Sequence, residues 1–253
     1  MKYKAIISDV DGTLIPNKRE GMPSKAVIEA VTKASDKIHI GIATARSYWQ
    51  VSHILDIVPF SAPCIITGGA QVIDPKTRKT FVEHPLAIED VLTVAEVGKG
   101  MEINFLIADR EGERPFAKET LSEKPLDMYT NAISEEKADE FIRIVSHFST
   151  VATYKTLTWT DEKKVHVTVA NPNASKNDGV LEVCRLLNIY PHEVIGIGEG
   201  HNDFSLLMAC GLKVAMGNAI ADVKAIADYV APSVEEDGVA KVIEKFILNS
   251  PQE

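Results

Sequence analysis

The sequence predicts an α/β protein with a doubly wound, mainly parallel sheet and an inserted α+β domain. At both ends of the chain, short apolar runs that stop at polar residues alternate with helical patterns, which is typical of βαβ units. Between about residues 82 and 172, longer strands alternate apolar with polar residues, as in an antiparallel sheet with one solvated face. We therefore expect a core domain of residues 1–81 and 173–253, with residues 82–172 inserted into it.

The predicted core begins with a strand at Ala5-Ile6-Ile7, an apolar run that fits burial on both faces. A helix is expected over residues 23–34, with Pro23 in its first turn, where a missing N–H is tolerated. The other predicted core elements are strands over 38–44, 64–67, 194–198 and 213–217, and helices over 48–55, about 178–187 and 204–210. Strand and helix thus alternate before the insert and again after it.

Two helices are predicted between the strands of the insert. The first runs from about residue 88 to 97 and is expected to stop before Gly98 and Gly100. The second begins after Ser134, a typical N-cap residue that is followed by two glutamates. The three valines of VHVTVA, residues 165–170, share one face of a strand.

The composition limits the classes of partner. The 253 residues are 25% charged and 45% hydrophobic, and the formal net charge is -9. This charge argues against a nucleic acid or an anionic membrane as the main partner, but not against a small phosphorylated substrate bound with a cation. Cys64, Cys184 and Cys210 are expected to fill the core without disulfides, and no signal peptide or membrane span is expected. These features favour a cytoplasmic protein.

Two carboxylates follow the first predicted strand in SDVDGT, at the sheet edge where open α/β folds bind ligands. Asp9 and Asp11 can point into one small space, where their charges conflict unless a divalent cation relieves the repulsion. An oxygen-only ligand set favours Mg²⁺, which keeps several waters. The alternative interpretation is an aspartate-rich turn that caps the strand.

Further polar residues occupy predicted loops at the same sheet edge. Thr44 ends the second strand, Lys176 precedes a helix, and GEGHND, residues 198–203, follows a later strand. Each has an ordinary explanation by itself: a helix N-cap, a surface lysine and a solvated loop. Their combination with two acids, in this order along the chain, indicates a site for a phosphoryl group.

This ordered set resembles the four motifs of the haloacid dehalogenase superfamily, and the large insert resembles its Cof-like branch of sugar and small-metabolite phosphatases. The resemblance covers essentially the whole chain, and DVDGT is its most specific part. It implies Mg²⁺-dependent hydrolysis of a small phosphomonoester, with residues 82–172 forming a cap. The implied roles are nucleophile for Asp9, general acid and base for Asp11, phosphate binding for Thr44, Ala45, Lys176 and Asn202, and metal binding for Asp9, Asp11, Glu199 and Asp203.

The sequence departs from the family pattern at four positions. Glu199 stands where aspartate is usual, which leaves open whether Glu199 or Asp203 is the direct metal ligand. Ala45 and Asn177 stand where glycine is usual. Gly68 stands where asparagine is usual, which removes a polar group near the expected site.

Three other functions share part of this pattern. A phosphomutase would return the phosphoryl group to sugar rather than to water. A phospho-accepting signalling module also uses an aspartate, a hydroxyl, a lysine and Mg²⁺, but it has neither a large insert nor an acid two residues after the nucleophile. A binding protein without activity is consistent with Glu199 and Gly68.

Several conspicuous residues are expected to have no catalytic role. The expectations are a solvated side chain for His201, packing for Trp49 and Trp159, and a solvated loop, rather than an acidic-substrate site, for Arg110, Arg114 and Lys118.

Overall fold

The computed structural model describes residues 2–158 and 163–249. In chain order the strands of this part are β1 (Ala5–Ser8), β2 (His39–Ile42), β3 (Cys64–Ile66), β4 (Gln71–Ile73), β5 (Thr80–Glu83), β6 (Phe105–Ala108), β7 (Glu113–Pro115), β8 (Asp127–Thr130), β9 (Ile133–Ser134), β10 (Ala152–Leu157), β11 (Lys164–Ala170), β12 (Val194–Gly198), β13 (Leu212–Ala215) and β14 (Tyr229–Val230). The α-helices are α1 (Lys25–Ala34), α2 (Tyr48–Ile57), α3 (Ile88–Gly100), α4 (Glu135–Val145), α5 (Lys176–Leu187), α6 (Phe204–Met208), α7 (Ala221–Ile226) and α8 (Gly238–Ile243).

A five-stranded parallel sheet, in the order β14-β13-β12-β1-β2, forms the centre of the core. Side chains from alternate positions of β1 are buried on opposite faces. Ile6 joins a cluster with residues of α1, α2 and α8, whereas Ile7 joins one with residues of α5 and α6. Burial on both faces explains the continuous apolar runs. The predicted doubly wound α/β class is confirmed.

The third predicted strand leaves this sheet. β3 pairs antiparallel with β4, and β4 with β5, so that one parallel bridge, between Ala43 and Ile65, joins β3 to the end of β2. The antiparallel pairing of β4 with β3 follows from the tight turn between them, where Thr67, Gly68 and Gly69 all have positive φ. That turn returns the chain as a hairpin, whereas a further parallel strand needs a long crossover.

The insert contains a six-stranded antiparallel sheet in the order β10-β11-β8-β6-β7, with β9 also paired to β11. The valines of VHVTVA lie in β11 and are buried with residues of α3 and α4. The alternation of apolar and polar residues in the sequence therefore indicated correctly which face of this strand packs against the helices. The two segments that connect the insert to the core meet where the Asn171 Nδ2 donates to the Pro85 carbonyl at 2.9 Å. The exact domain boundaries, 82 and 172, stay a prediction.

Three predicted helix boundaries are wrong. α3 continues through Gly98 and Gly100, because Gly98 serves packing rather than termination: a Cβ there would lie 2.1 Å from the Phe105 ring. α1 begins after Ser24, whose hydroxyl accepts from the Val27 N–H, so Pro23 precedes the helix. Lys176, expected before a helix, is itself the first residue of α5. By contrast, the predicted N-cap of α4 is confirmed, since the Ser134 hydroxyl accepts from Lys137.

Trp49, near the start of α2, is 50% exposed and its ring lies edge-on to that of Tyr48 at 5.5 Å, so its expected packing role stays a prediction. Trp159 lies outside the described residues. The three cysteines are buried and free, as expected. In the part of the chain that the structure describes, no helix is both long and apolar enough to cross a membrane.

The insert contacts the core closely at Gly68. A Cβ at residue 68 would lie 2.0 Å from the Tyr154 hydroxyl of β10, and Gly68 has a φ of 65°. Tyr154 packs against a small buried cluster that includes Ala70 of the core and Leu126 of the insert. Gly68 therefore has no space for a side chain, which explains the absence of asparagine, a residue that would otherwise tolerate this left-handed conformation.

The substitution Gly68→Ala is expected to lower the free energy of unfolding by about 1–3 kcal/mol, because it adds left-handed strain and displaces Tyr154. Urea denaturation measures the change. Gly100→Ala is the control: its Cβ would meet nothing within 4 Å at the end of α3, so it should leave stability unchanged or slightly higher. A Gly68→Ala protein as stable as the parent would contradict the contact.

Candidate active site

The carboxyl ends of β1, β2 and β12 meet at one edge of the parallel sheet. Asp9 follows β1, Thr44 follows β2 by two residues, and Glu199 follows β12. The Asp9 N–H donates to the Ile197 carbonyl at 2.8 Å, which extends the β1–β12 pairing to the site. Gly12, with a φ of 70°, turns the chain away just after the two acids. This is the sheet edge at which the sequence predicted the site.

Lys176 forms the buried centre of the site. Its side chain is 3% exposed, and its Nζ lies 2.6 Å from both Asp9 Oδ1 and Asp203 Oδ1. Burial opposes the charge of Lys176, but Asp203 and Asp9 outweigh it and raise the lysine pKa above its ordinary value. Lys176 therefore stays an ammonium at neutral pH.

The Asp9 carboxyl is poorly solvated. Burial, and then repulsion from Asp203, raise its pKa well above the ordinary value, against the opposing effect of Lys176. One ammonium thus does not fully compensate the acids that surround it. Additional positive charge at this point would stabilise Asp9 as a carboxylate.

Asp203 holds the loop after β12. Its Oδ2 accepts from the N–H groups of Glu199 and Gly200 at 2.8 and 2.9 Å, while Oδ1 accepts from Lys176. The side chain is completely buried. Asp203, the last acid of GEGHND, therefore fixes the backbone position of Glu199, the first acid.

Glu199 lies over the turn of the first motif. Its Cγ and Cδ would lie 3.2 Å from a Cβ at residue 12, so glycine at that position makes room for the longer acid. Burial, followed by repulsion from Asp203, raises the Glu199 pKa to about 7. The carboxyl borders the same cavity as Asp9.

Arg46 is a site residue that the sequence analysis missed. Its Nε and Nη2 donate to the two Asp11 carboxylate oxygens at 2.9 and 2.7 Å, and its side chain is 2% exposed. It also donates to the Lys18 and Arg19 carbonyls, while its N–H donates to the Thr44 hydroxyl at 3.1 Å. Arg46 thereby fixes the orientation of Asp11. Arg46 stands two residues after Thr44 in ATARS, but nothing in this local sequence marks it as buried.

A cavity of about 550 Å³ lies above these residues, between the core and the insert. Of the predicted site residues, Asp9, Asp11, Ala45, Glu199 and Asn202 line it. Thr44, Lys176 and Asp203 are buried below the lining. His201 is exposed, as expected, but borders the cavity.

The insert supplies the opposite wall of this cavity. Among its lining residues are Asp127, Tyr129, His166 and Thr168, which the sequence analysis did not identify. His166 and Thr168 alternate with the valines of VHVTVA, so the face expected to be solvated borders the cavity instead. The signal for both residues was this alternation.

Arg110, Arg114 and Lys118 do not line the cavity. Arg110 pairs with Glu83, and Arg114 pairs with Asp109. The expectation that these three cations form no acidic-substrate site stays a prediction.

The donor set fits a divalent metal in its chemistry. The site contains four carboxyl groups and two cations. Lys176 contacts Asp9 and Asp203, and Arg46 contacts Asp11. The fourth carboxyl group, that of Glu199, lies nearby. Among the described residues, no three acidic, histidine or cysteine side chains are already gathered as a metal centre. The excess of carboxylate charge and the oxygen-only donors nevertheless suit Mg²⁺, which binds through one or two carboxylates and keeps waters.

Comparisons with known proteins agree with this geometry. The family described as haloacid dehalogenase-like hydrolase matches residues 6–151 and 110–243. The chain is 27% identical over 243 residues to a phosphoglycolate phosphatase of Methanopyrus kandleri, covering 96% of each protein. It is 26% identical over 256 residues to a 5-amino-6-(5-phospho-D-ribitylamino)uracil phosphatase of Bacillus subtilis, covering 97% of this chain and 96% of the relative.

The fold is shared with solved structures of the same superfamily. Phosphatase BT1666 from Bacteroides thetaiotaomicron has a TM-score of 0.83 and 23% identity, covering 96% of this chain and 95% of that one. The likeness spans both the parallel core and the insert, and the expected resemblance to Cof-like phosphatases is confirmed. The chain therefore belongs to the haloacid dehalogenase-like hydrolases and is a phosphoester hydrolase.

Proposed function

We propose that the chain is a Mg²⁺-dependent phosphatase that hydrolyses a small phosphomonoester through an aspartyl-phosphate on Asp9. The observation that carries this proposal is the contact, at 2.6 Å, of the buried Lys176 with Asp9, which lines the cavity. A carboxylate attacks a phosphate dianion only if their repulsion is screened. The buried ammonium supplies part of that screening at the attacking group.

In the proposed reaction, an Asp9 oxygen attacks phosphorus while the bond to the leaving oxygen breaks. Asp11 gives its proton to that oxygen and then takes a proton from the water that cleaves the aspartyl-phosphate. Inorganic phosphate leaves, and Asp9 is regenerated as a carboxylate. Arg46 holds Asp11 in one orientation throughout, because its Nε and Nη2 each donate a hydrogen bond to one Asp11 carboxylate oxygen.

Asp9 and Glu199 are the proposed metal ligands among the four predicted acids. Both Asp11 oxygens accept from Arg46, and Asp203 Oδ2 accepts from two backbone N–H groups. When bound, Mg²⁺ would neutralise charge on the phosphoryl oxygens. Lys176, the Thr44 hydroxyl, the Ala45 backbone and Asn202 are the proposed phosphate-binding groups.

The proposed partner is a small phosphorylated metabolite, and residues 82–172 are the proposed cap. Two relatives of this family are named for different substrates. The leaving group is glycolate for one and a ribityl-aminouracil for the other. The leaving group must then be selected by residues outside the shared motifs. The free thiols suit a reducing compartment, and we propose a cytoplasmic location.

Turnover of p-nitrophenyl phosphate tests the proposed function. We expect release of inorganic phosphate with Mg²⁺ and loss of turnover with a chelator that is reversed by added Mg²⁺. No turnover across a broad panel of phosphomonoesters would favour a binding protein. Transfer of phosphate to a second sugar hydroxyl, instead of its release, would favour a phosphomutase.

Glu199→Gln is expected to raise the Mg²⁺ concentration for half-maximal activity by at least about tenfold. Asp203→Asn should instead lower the free energy of unfolding by about 1–3 kcal/mol, because it weakens the contacts to Lys176 and the loop. Metal titrations of activity and urea denaturation of both variants separate the two roles. The reverse pattern would make Asp203 the direct ligand.

Asn202→Ala is expected to raise KM or lower kcat by roughly tenfold without changing the Mg²⁺ requirement, because it removes a hydrogen bond to a charged phosphate. Steady-state kinetics at saturating Mg²⁺ measure the effect. Asn173→Ala is the matched control, since Asn173 is exposed and away from the cavity lining. Unchanged kinetics in Asn202→Ala would remove Asn202 from the phosphate site.

A further inference from the structure

The sheet of the insert contacts the core at both of its edges. At one edge, Tyr154 of β10 packs against Gly68. At the other edge, β7 contributes Glu113, whose Oε2 accepts from Gln50 Nε2 of α2 at 3.0 Å. We call this hydrogen bond between Gln50 and Glu113 the cap bridge. Both of its residues line the cavity that contains Asp9, so the cap bridge joins the two walls of that cavity.

The cap bridge lies at the edge of the sheet that is farther from the segments connecting the insert to the core. Tyr154, at the nearer edge, packs with Ala174, which follows the connecting residue Asn171 by three positions. Rotation of the insert about these segments would therefore move β7 farther than β10 and separate Glu113 from Gln50. The cap bridge thus forms when the insert is seated over the cavity.

On the core side, Gln50 is connected to the proposed general acid through Arg46. The Gln50 carbonyl accepts from Arg46 Nη1 at 2.9 Å, while Arg46 Nε and Nη2 donate to Asp11. The Gln50 Oε1 also accepts from the Ser47 N–H, at 3.4 Å, at the start of α2. One residue therefore contacts the insert with its amide nitrogen, the start of the helix with its amide oxygen and Arg46 with its carbonyl. A displacement of Gln50 would displace the arginine that orients Asp11.

We infer that Gln50 is a positioning residue that couples the seating of the insert to the orientation of Asp11. When Glu113 accepts from Gln50, the backbone and side chain of Gln50 are held together, and Arg46 aligns Asp11 for proton transfer to the leaving oxygen. Loss of the cap bridge misaligns the acid and slows that transfer, because general acid catalysis depends on position. This inference rests on the proposed phosphatase function, since it concerns how the acid of that reaction is aligned.

Gln50→Glu breaks the cap bridge without disturbing the start of α2, because glutamate at this helix position also accepts from the Ser47 N–H. Its carboxylate would face that of Glu113, and the two would repel each other. Two esters report on the acid: phenyl phosphate, whose leaving oxygen needs a proton, and 2,4-dinitrophenyl phosphate, whose leaving group departs as a stable anion.

With Mg²⁺, we expect Gln50→Glu to lower kcat/KM for phenyl phosphate by at least about tenfold and to change kcat/KM for the dinitrophenyl ester by less than about twofold. The ratio kcat/KM is compared because it reports the transfer of the phosphoryl group to Asp9 and not the later hydrolysis. Glu113→Ala, which removes the acceptor from the insert, should give the same selective loss.

The double variant Gln50→Glu/Glu113→Gln exchanges the donor and the acceptor and keeps the net charge of the pair. The amide introduced at position 113 can donate to the carboxylate introduced at position 50, so kcat/KM for phenyl phosphate should recover toward the parental value. Glu111→Gln is the matched control, since Glu111 is exposed in the same part of the insert and does not line the cavity. It should leave both ratios unchanged.

Equal losses for the two esters in Gln50→Glu would overturn the inference, because they would show an effect on phosphate binding rather than on proton transfer. A double variant that does not recover would also overturn it and would assign the loss to a direct contact of residue 50 with substrate. In both cases the parent protein still releases phosphate, so the proposed function stands. No release of phosphate by the parent from any phosphomonoester would reject the function and the inference together.

Discussion

Asp9→Asn is expected to lower kcat by at least about 10⁴-fold while the protein stays folded. Asparagine has nearly the same shape as aspartate and keeps an acceptor for Lys176, but its amide is not a nucleophile. Because burial and Asp203 raise the Asp9 pKa in the folded state, ionised Asp9 reduces stability above its unfolded pKa. Removing that charge should leave the free energy of unfolding at pH 7 equal or higher.

Turnover of p-nitrophenyl phosphate and urea denaturation at pH 7 measure both effects on the same preparation. Asp36→Asn is the matched control, since Asp36 is exposed just after α1 and does not line the cavity. Mass spectrometry of acid-quenched parent enzyme should place a phosphoryl group on Asp9. Retention of more than about a hundredth of the parental kcat in Asp9→Asn would require a different nucleophile.

Lys176→Met is expected to abolish activity and to lower the free energy of unfolding by about 3–5 kcal/mol. The single ammonium lies 2.6 Å from both Asp9 and Asp203, so its removal leaves two buried carboxyl groups without their counter-charge. Urea denaturation and steady-state kinetics measure the two losses. Lys33→Met, on the exposed side of α1, is the control and should change neither.

A double variant separates the structural role of Lys176 from its catalytic role. Adding Asp203→Asn to Lys176→Met removes one of the uncompensated acids, so stability should recover in part. Activity should not recover, because no ammonium faces Asp9. Recovery of turnover in the double variant would show that Lys176 acts only by balancing Asp203.

The core was predicted well from the sequence because each of its strands can be recognised from a few consecutive residues. A buried parallel strand is a short apolar run, and the residue after it lies at the functional edge of the sheet, so Asp9 and Glu199 could be placed from the positions of β1 and β12 alone. The helix end proposed at Gly98 failed for the opposite reason. What requires glycine there is the Phe105 ring, a tertiary contact that composition does not reveal.

The site was predicted less completely where it depends on distant contacts. Arg46 and Asp11 are 35 residues apart, and nothing local marks an arginine as buried and bidentate. The alternation in β11 correctly separated valines from polar residues, but it could not show that His166 and Thr168 face a catalytic cavity rather than bulk solvent.

The fit of Tyr154 into the space beside Gly68 bears on how substrate preference changes during evolution. Exchange of the whole insert with that of a relative would transfer a new residue to the position of Tyr154 while residue 68 stayed behind. A smaller residue would leave a void, and any side chain introduced at residue 68 would collide with this tyrosine. The two positions must therefore be inherited as a pair, so a transplanted cap needs a compensating change in the core.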